Sequence, residues 1–467
     1  MIRPPRSPPS PLLRCATDAA FRSRNGWPAA RTPAPTAAPC TRWETVLTDP
    51  GAWTVPELDL FARADSRTAL DISHSVLPPI LRPAATGVLD ISEFFGETTG
   101  GVRTYLLQKA RYVESRRDLR QVLVVPGARD SIQETEGVRC YRLHGPSVPT
   151  QKPYRFMLAT RSTSRIVAHE RPHLIEVGSA WCAPWLVHLA TRQLDVPTVW
   201  FYHSNFPRVI APWPARVGLA RRTASDFAWS YVRRLSRLVQ ATLAPSDFVA
   251  EELSRAGVER IRRVSLGVDH DRFHPRRRAY AADTRRAFSL PEGPLAIFVG
   301  RMAREKELDL LLAGWPEIER GTGARLVLVG EGPSRRRLQR QPGSDRHTWI
   351  PYQSDRERLA DLMAAADLYV APCSIETFGL SALEALASGT PVLTADRGGV
   401  AETVGRSGAG AQFESGDPGS LAQAAAALFS SNLGELGALG RAYVEAHHGW
   451  DLVFDRLFGI YRDVLRS

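Results

Sequence analysis

The chain has 467 residues, 43% of them apolar and 23% charged, proportions of an ordinary globular protein with room for two or three domains. Its formal net charge of +11 comes from arginine far more than from lysine, and suits a nucleic acid, an anionic membrane surface, a phosphorylated ligand or a simple coding bias. No zinc-finger spacing, RNP-type aromatic run or P-loop accompanies that charge, which argues against nucleic acid, and no apolar run approaches the roughly 18 residues of a membrane span.

Residues 1–85 do not match the rest of the chain. They are rich in Pro, Arg, Ser and Ala and show no apolar periodicity before residue 52, so a disordered extension is expected there, with one weak helix over 53–80. The start resembles a transit peptide, but Pro4-Pro5 and Pro8-Pro9 break any amphipathic helix. The five cysteines, Cys15, Cys40, Cys140, Cys182 and Cys373, are odd in number and include no C-x-x-C pair, which argues against a zinc site and for a reducing cytosol.

From Thr86 the pattern becomes strand, loop, helix. Gly87-Val88-Leu89-Asp90-Ile91 is a strand, and Gly100-Gly101 opens a helix, leaving bare N–H groups that tolerate a diphosphate or a hydroxyl against the backbone. Strands at 121–127, 174–177 and within 197–208 alternate with helical stretches, as a doubly wound parallel sheet requires. The stretch from Pro197 to Arg208 reads as a buried-type strand whose carboxyl end carries His203, the end where such sheets bind ligands. The segment from Val209 to Leu243 mixes arginine with aromatics, among them Trp213, Arg216, Arg221, Arg222, Phe227, Trp229, Tyr231, Arg233, Arg234 and Arg237. It reads either as a membrane-surface helix or as a helix packed on its own sheet. Leu243-Ala244-Pro245-Ser246 closes what reads as the last strand of this domain, residues 86–268.

The linker after it contains Asp269-His270-Asp271, a formal Asp-x-Asp of the kind that binds a divalent metal. It lacks the apolar strand that would present the two carboxylates, so no metal site is expected. A second domain over 269–445 begins with the strand Leu295–Val299. Arg301 and Lys306 follow it, a planar fork and a mobile point charge that suit phosphate oxygens. Further strand ends fall at Gly330 and near Ile350 and Tyr352. Leu368-Tyr369-Val370 then leads through Glu376-Thr377-Phe378-Gly379-Leu380 into the helix carrying Glu384. Two carboxylates eight positions apart flank a helix N-terminus there. They can accept sugar hydroxyls, and the free N–H groups between them can meet a phosphate. Residues 446–467 form an amphipathic final helix.

Glu376-x7-Glu384, Gly300-Arg301-x4-Lys306, Gly100-Gly101 and the Phe-Tyr-His-Ser phrase around His203 occur in an order that resembles the retaining glycosyltransferases of family 4, and most of all bacterial alpha-mannosyltransferases. The resemblance covers roughly residues 86–467. It implies an α/β chain of the GT-B fold, two Rossmann-like domains facing across a cleft, with the final helix crossing back to the first. It further implies that Glu376 holds hydroxyls of the donor sugar and Glu384 the ribose, and that Arg301 and Lys306 hold the diphosphate. His203 and the Gly100-Gly101 loop would complete the reaction centre, the backbone at Thr377, Phe378, Gly379 and Leu380 would meet the donor, and Gly330, Ile350 and Tyr352 would frame the nucleobase. The implied partners are a GDP- or UDP-linked sugar as substrate and a sugar or lipid-linked acceptor, with no separate cofactor, no metal and no nucleic acid. The implied location is the cytoplasm, with peripheral contact to an anionic membrane as a further option. A nucleotide-sugar epimerase, a pyridoxal-dependent phosphorylase and a non-catalytic sugar-binding protein share enough of the fold to stand as alternatives.

Overall fold

The computed structural model describes residues 71–467, except 82–83, 97–99, 150–152, 193 and 211–217. Residues 1–70 of the expected extension, and with them most of the weak helix expected over 53–80, lie outside the described residues. The part that is described corrects the expected boundary at 85. Residues 71–80 form a turn and extended chain laid on the first half, with Ile72 fully buried and its N–H donating to Asp130 Oδ2 at 3.0 Å. Arg165 holds the same stretch through the carbonyls of Ile72 (2.7 Å) and Ser75 (2.8 Å). An apolar anchor and satisfied carbonyls bind this segment, features that its composition did not reveal.

In the first half, β1 (Thr86–Ile91) leads to α1 (Gly101–Glu114), β2 (Leu119–Gly127) and the hairpin of β3 (Ser131–Thr135) and β4 (Val138–His144). Next come α2 (Thr160–Glu170), β5 (Leu174–Val177), α3 (Ala183–Ala190), β6 (Thr198–Phe201), α4 (Phe206–Ile210) and α5 (Gly218–Ser236). The half closes with β7 (Ala241–Ala244), α6 (Asp247–Arg255) and β8 (Ile261–Arg263). β7 is therefore not the last strand. Ile261-Arg262-Arg263 adds an edge too short and too charged to read as one.

In the second half, α7 (Ala281–Ala287), β9 (Leu295–Val299), α8 (Leu308–Thr322), β10 (Arg325–Val329), α9 (Arg335–Leu338) and β11 (Thr348–Ile350) come first. They are followed by α10 (Arg356–Ala365), β12 (Leu368–Ala371), α11 (Leu380–Ala387), β13 (Val392–Ala395), α12 (Gly399–Ser407) and β14 (Gly410–Phe413). Helices α13 (Pro418–Phe429), α14 (Leu433–His447) and α15 (Trp450–Arg466) end the chain.

The two sheets run β3-β4-β2-β1-β5-β6-β7-β8 and β11-β10-β9-β12-β13-β14. Every strand pairing is parallel except β3 with β4. These are the two facing parallel sheets expected of the GT-B fold. Each sheet reverses its winding once, beside β1 in the first and beside β9 in the second. A crevice opens at the carboxyl ends of the strands at such a point, because successive helices leave to opposite faces. The loops after β1, β9 and β12 therefore meet at one cleft.

Helix α15 returns to the first half and lies along α1. Tyr112 stacks on Phe458 with ring centroids 5.4 Å apart and donates to Asp455 at 2.5 Å. Tyr461 reaches a fully buried cluster in which Lys109 Nζ donates to Asp90 (2.6 Å), to the Tyr461 hydroxyl (2.7 Å) and to Glu176 (3.4 Å). Tyr105 also donates to Glu176, at 3.0 Å. Two carboxylates around one ammonium, with phenols on the remaining lone pairs, keep this buried charge satisfied.

Candidate active site

The cleft between the halves has a volume of about 2040 Å³ and is lined from both sides. It brings together Gly100, Gly101 and His203 from the first half with Arg301, Lys306, Gly330, Tyr352, Glu376, Thr377, Phe378, Gly379, Leu380 and Glu384 from the second. Ile350 is not at its surface. That side chain is buried, and its carbonyl accepts the Gly330 N–H at 3.0 Å, so it braces the loop from behind.

Glycine at 379 is a steric requirement. The residue sits at φ +89, and a Cβ there would stand 2.1 Å from Val400 Cγ2, so only glycine lets the chain turn from the Glu376 loop into α11. The turn leaves the first N–H groups of α11 facing the cleft beside Glu376. By contrast, among the described residues nothing lies within 4 Å of a Cβ built on Gly100 or Gly101. The first-half glycine loop is therefore open space toward the cleft and not a packing necessity.

Both carboxylates are already matched by cations. Lys306 donates to Glu376, and Arg356 at the start of α10 donates to Glu384. Burial works against the Lys306 ammonium, but the Glu376 carboxylate more than offsets it and holds the lysine above its ordinary range. Glu384 is 3% exposed, and burial raises its carboxyl above the usual range in spite of Arg356. The helix acid that could have been a solvated side chain is thus an interior charge. Arg356, stacked 4.9 Å from the Phe273 ring centroid, is a site residue that the sequence did not single out. Its only signal is its position one residue after Asp355, which caps α10 by accepting from the N–H of Glu357 at 2.9 Å.

His203 stacks on Phe201, centroids 4.1 Å apart, and its carbonyl accepts Thr377 Oγ1 from the opposite half at 2.9 Å. Among the described residues no partner reaches the buried Nε2. Burial, helped by the Lys109 cation, holds the imidazole down at about 3, so it meets a ligand in the neutral form. His448, buried at the junction with its Nδ1 3.0 Å from the Leu266 carbonyl, is held by burial at about 4.

Both histidines therefore stay neutral in the folded chain while the unfolded chain protonates near 6.5. Acidification below that value favours unfolding, by about 1.4 kcal/mol per pH unit per histidine until the folded values are reached. Denaturant midpoints are expected to fall between pH 7 and pH 5, and to fall less steeply in His448→Asn. Parallel pH profiles for the two proteins would count against this origin.

The two thiols in the cleft are poor nucleophiles, since burial pushes Cys373 up to about 12 and Cys182 up to about 11. Asp269 and Asp271 do not converge on a common point. Asp269 pairs with Arg272 at 3.0 Å, whereas the Asp271 side chain is 92% exposed.

Other contacts fasten the Glu376 loop and its neighbours to the first half. Ser246, which caps α6, donates to the Thr377 carbonyl at 2.7 Å. Glu402 on α12 accepts the N–H of Asp247 at 2.7 Å, with Arg263 and Arg406 completing a charge cluster across the seam. In the basic segment, Trp213 and Arg216 lie outside the described residues, as do the side chains of Arg221 and Arg222. Of the remainder, Val232 and Leu235 are buried, Arg234 stacks on Trp185 at 5.2 Å and Arg233 donates to the Ala256 carbonyl at 3.2 Å. The described part of α5 is packed on its own sheet.

Two family models match the chain: Glycosyltransferase Family 4 over residues 99–272 and Glycosyl transferases group 1 over 293–431. A GDP-mannose-dependent alpha-(1-6)-phosphatidylinositol dimannoside mannosyltransferase of Mycobacterium tuberculosis is 32% identical over 329 residues, 68% of this chain and 84% of that protein. The chain is a family 4 glycosyltransferase. A GDP-mannose-dependent alpha-mannosyltransferase of Mycolicibacterium smegmatis is 29% identical to this glycosyltransferase over 399 residues, 80% of this chain and 96% of the relative. Among solved structures, a sucrose-phosphate synthase from Thermosynechococcus elongatus superposes with a TM-score of 0.67 at 23% identity. It covers 82% of the glycosyltransferase chain and 99% of its own, a likeness of fold.

Proposed function

We propose that the enzyme moves a mannosyl group from GDP-mannose to a hydroxyl of a glycolipid, with retention at the anomeric carbon and without a metal ion. The observation that carries this reading is the convergence in one cleft of two cations, two carboxylates and a neutral imidazole from loops of both halves. The names of the mannosyltransferase relatives support the choice of donor and acceptor.

Arg301, Lys306 and the first N–H groups of α11 take the diphosphate. Glu384 accepts ribose hydroxyls, and Glu376 accepts hydroxyls of the sugar while Lys306 turns toward phosphate. His203, neutral and with Nε2 unpaired in the described residues, bonds a sugar hydroxyl near the reaction centre. As the bond from the anomeric carbon to the phosphate oxygen breaks, the acceptor oxygen bonds that carbon from the same face. Its proton passes to the departing phosphate. Gly330 and Tyr352 border the base, with Ile350 bracing them.

The acceptor enters along the first-half wall, where Trp181, Trp185, Leu158 and Leu189 offer apolar surface to a lipid-linked substrate. Leu158 (59% exposed) and Phe227 (76%) would also suit peripheral contact with an anionic membrane, and no helix among the described residues is long and apolar enough to cross one.

A screen of GDP- and UDP-sugars against glycolipid acceptors, read by mass spectrometry, tests the reading. A product heavier by one hexose is expected with GDP-mannose. Release of an altered free sugar without any acceptor would replace transfer by epimerisation. Turnover is expected to persist in excess EDTA, because Arg301 and Lys306 supply the charge a metal would bring. Loss restored by magnesium would return Asp269 and Asp271 to the diphosphate.

A further inference from the structure

One contact across the cleft belongs to none of these roles. After β4 the chain folds back on itself. Val148 N–H donates to the Tyr154 carbonyl and Phe156 N–H to the Pro146 carbonyl, both at 2.9 Å, so Pro146–Val148 and Tyr154–Phe156 make a short antiparallel ribbon. Gly145 is required at its base, since a Cβ there would stand 1.8 Å from the Phe156 carbonyl oxygen. This ribbon carries Tyr154 over the cleft to the opposite half, where the Arg301 guanidinium lies 5.2 Å from the centroid of its ring and also bonds its hydroxyl. The same ring packs edge-on against Phe94 at 5.7 Å, and Phe94 packs edge-on against Trp181 at 5.7 Å. An unbroken aromatic path thus runs from the apolar wall of the first half to the cation beside the diphosphate position.

We propose that Tyr154 is a positioning residue for Arg301: its ring and its hydroxyl together hold the guanidinium toward the leaving phosphate from the opposite half, so that the charge stabilising bond cleavage is delivered with the acceptor wall in place. This rests on the reading of Arg301 as a diphosphate ligand. A planar guanidinium has several staggered arrangements of similar energy on its long stem, and an aromatic face selects one of them. The aromatic path gives the selection a second consequence. A disturbance of the Trp181–Phe94 wall shifts Tyr154, and with it the cation.

The test is a double-mutant cycle on kcat and donor KM using the full chain, GDP-mannose and a glycolipid acceptor, with Tyr154→Leu, Arg301→Ala and the pair combined. Leucine keeps apolar bulk and removes both the π-face and the hydroxyl. Tyr154→Leu is expected to lower kcat about tenfold, the scale of a desolvated cation–π contact, with donor KM changed less than about twofold. Tyr154→Phe keeps the ring and loses only the hydroxyl bond to Arg301, so its kcat is expected to lie between those of the unmodified enzyme and Tyr154→Leu, which separates the contact from a general loss of folding. In the cycle, Tyr154→Leu is expected to cost nothing further once Arg301 is alanine. Full additivity of the two changes, or a Tyr154→Leu kcat equal to that of the unmodified enzyme while Arg301→Ala is impaired, overturns the inference and leaves the diphosphate reading standing. An unimpaired Arg301→Ala overturns that reading instead.

Discussion

Replacing Lys306 with alanine is expected to lower kcat about a hundredfold while changing donor KM far less. Negative charge on the diphosphate grows as the glycosidic bond breaks, so a cation fixed beside it binds the transition state more tightly than the intact donor. Losing one such contact typically costs on the order of 3 kcal/mol. The geometry adds a condition. Lys306 is engaged with Glu376, and that carboxylate keeps it protonated in a partly buried position, so a charged lysine is present before the donor arrives. Lys306→Arg is expected to recover only part of the rate, because a planar fork is not a compact point charge and cannot turn from Glu376 to the phosphate as the ammonium does. Steady-state kinetics that leave kcat unaltered in Lys306→Ala would move the diphosphate elsewhere in the cleft.

The second large effect is expected at Glu384. Taken as a helix-surface acid it would have been removable without structural cost, but it is 3% exposed and paired with Arg356. Glu384→Ala therefore removes the proposed ribose acceptor and also strands a guanidinium whose counter-charge is gone. Breaking a buried pair typically costs about 3 kcal/mol or more, discounted here because the Arg356 side chain is 19% exposed. Both a fall in melting temperature and a loss of at least about tenfold in GDP affinity are expected, the latter being the scale of one lost charge-assisted hydrogen bond. Arg356→Ala separates the two. Without its partner the Glu384 carboxyl rises further, so GDP binding should weaken on acidification more steeply in Arg356→Ala than in the unmodified enzyme. Calorimetry showing unaltered GDP affinity in Glu384→Ala would remove this residue from the nucleotide site.

The sequence was most legible where backbone demands and chemistry coincide. Gly379 marks a left-handed turn, Glu376 and Glu384 flank a helix N-terminus, and Arg301 and Lys306 come just after an apolar strand; each combination is local, and each lies in the cleft. What escaped was whatever depends on a distant partner. β4 was missed because Val-Arg-Cys-Tyr-Arg-Leu-His reads as too polar for a buried strand. Arg139 within it is 1% exposed, and its charge is met by Glu170 from α2 and Glu134 from β3. Tyr154 and Arg356 were missed for the same reason, since neither carries a local motif and both acquire meaning only from Arg301 and Glu384 across the fold. Residues 71–80 lack periodicity, so their docking was hidden in composition.

The chain passes between the halves twice, and the two passages lie side by side. Val268 N–H donates to the His448 carbonyl at 2.8 Å, and Gly267 leaves no room for a side chain, since a Cβ there would stand 2.7 Å from the Trp450 ring. The first half is thus discontinuous in sequence. A fragment ending near residue 268 would lack the Tyr461 hydroxyl that completes the Lys109 cluster, and one starting near 269 would carry an orphaned amphipathic helix with Phe454, Leu457, Phe458 and Tyr461 bared to water. Neither piece is a sensible expression unit. The severable form of the molecule is a complementing pair in which α15 travels with the second piece and reassembles on the first, so that recovery of activity on mixing would report the docking of that helix directly.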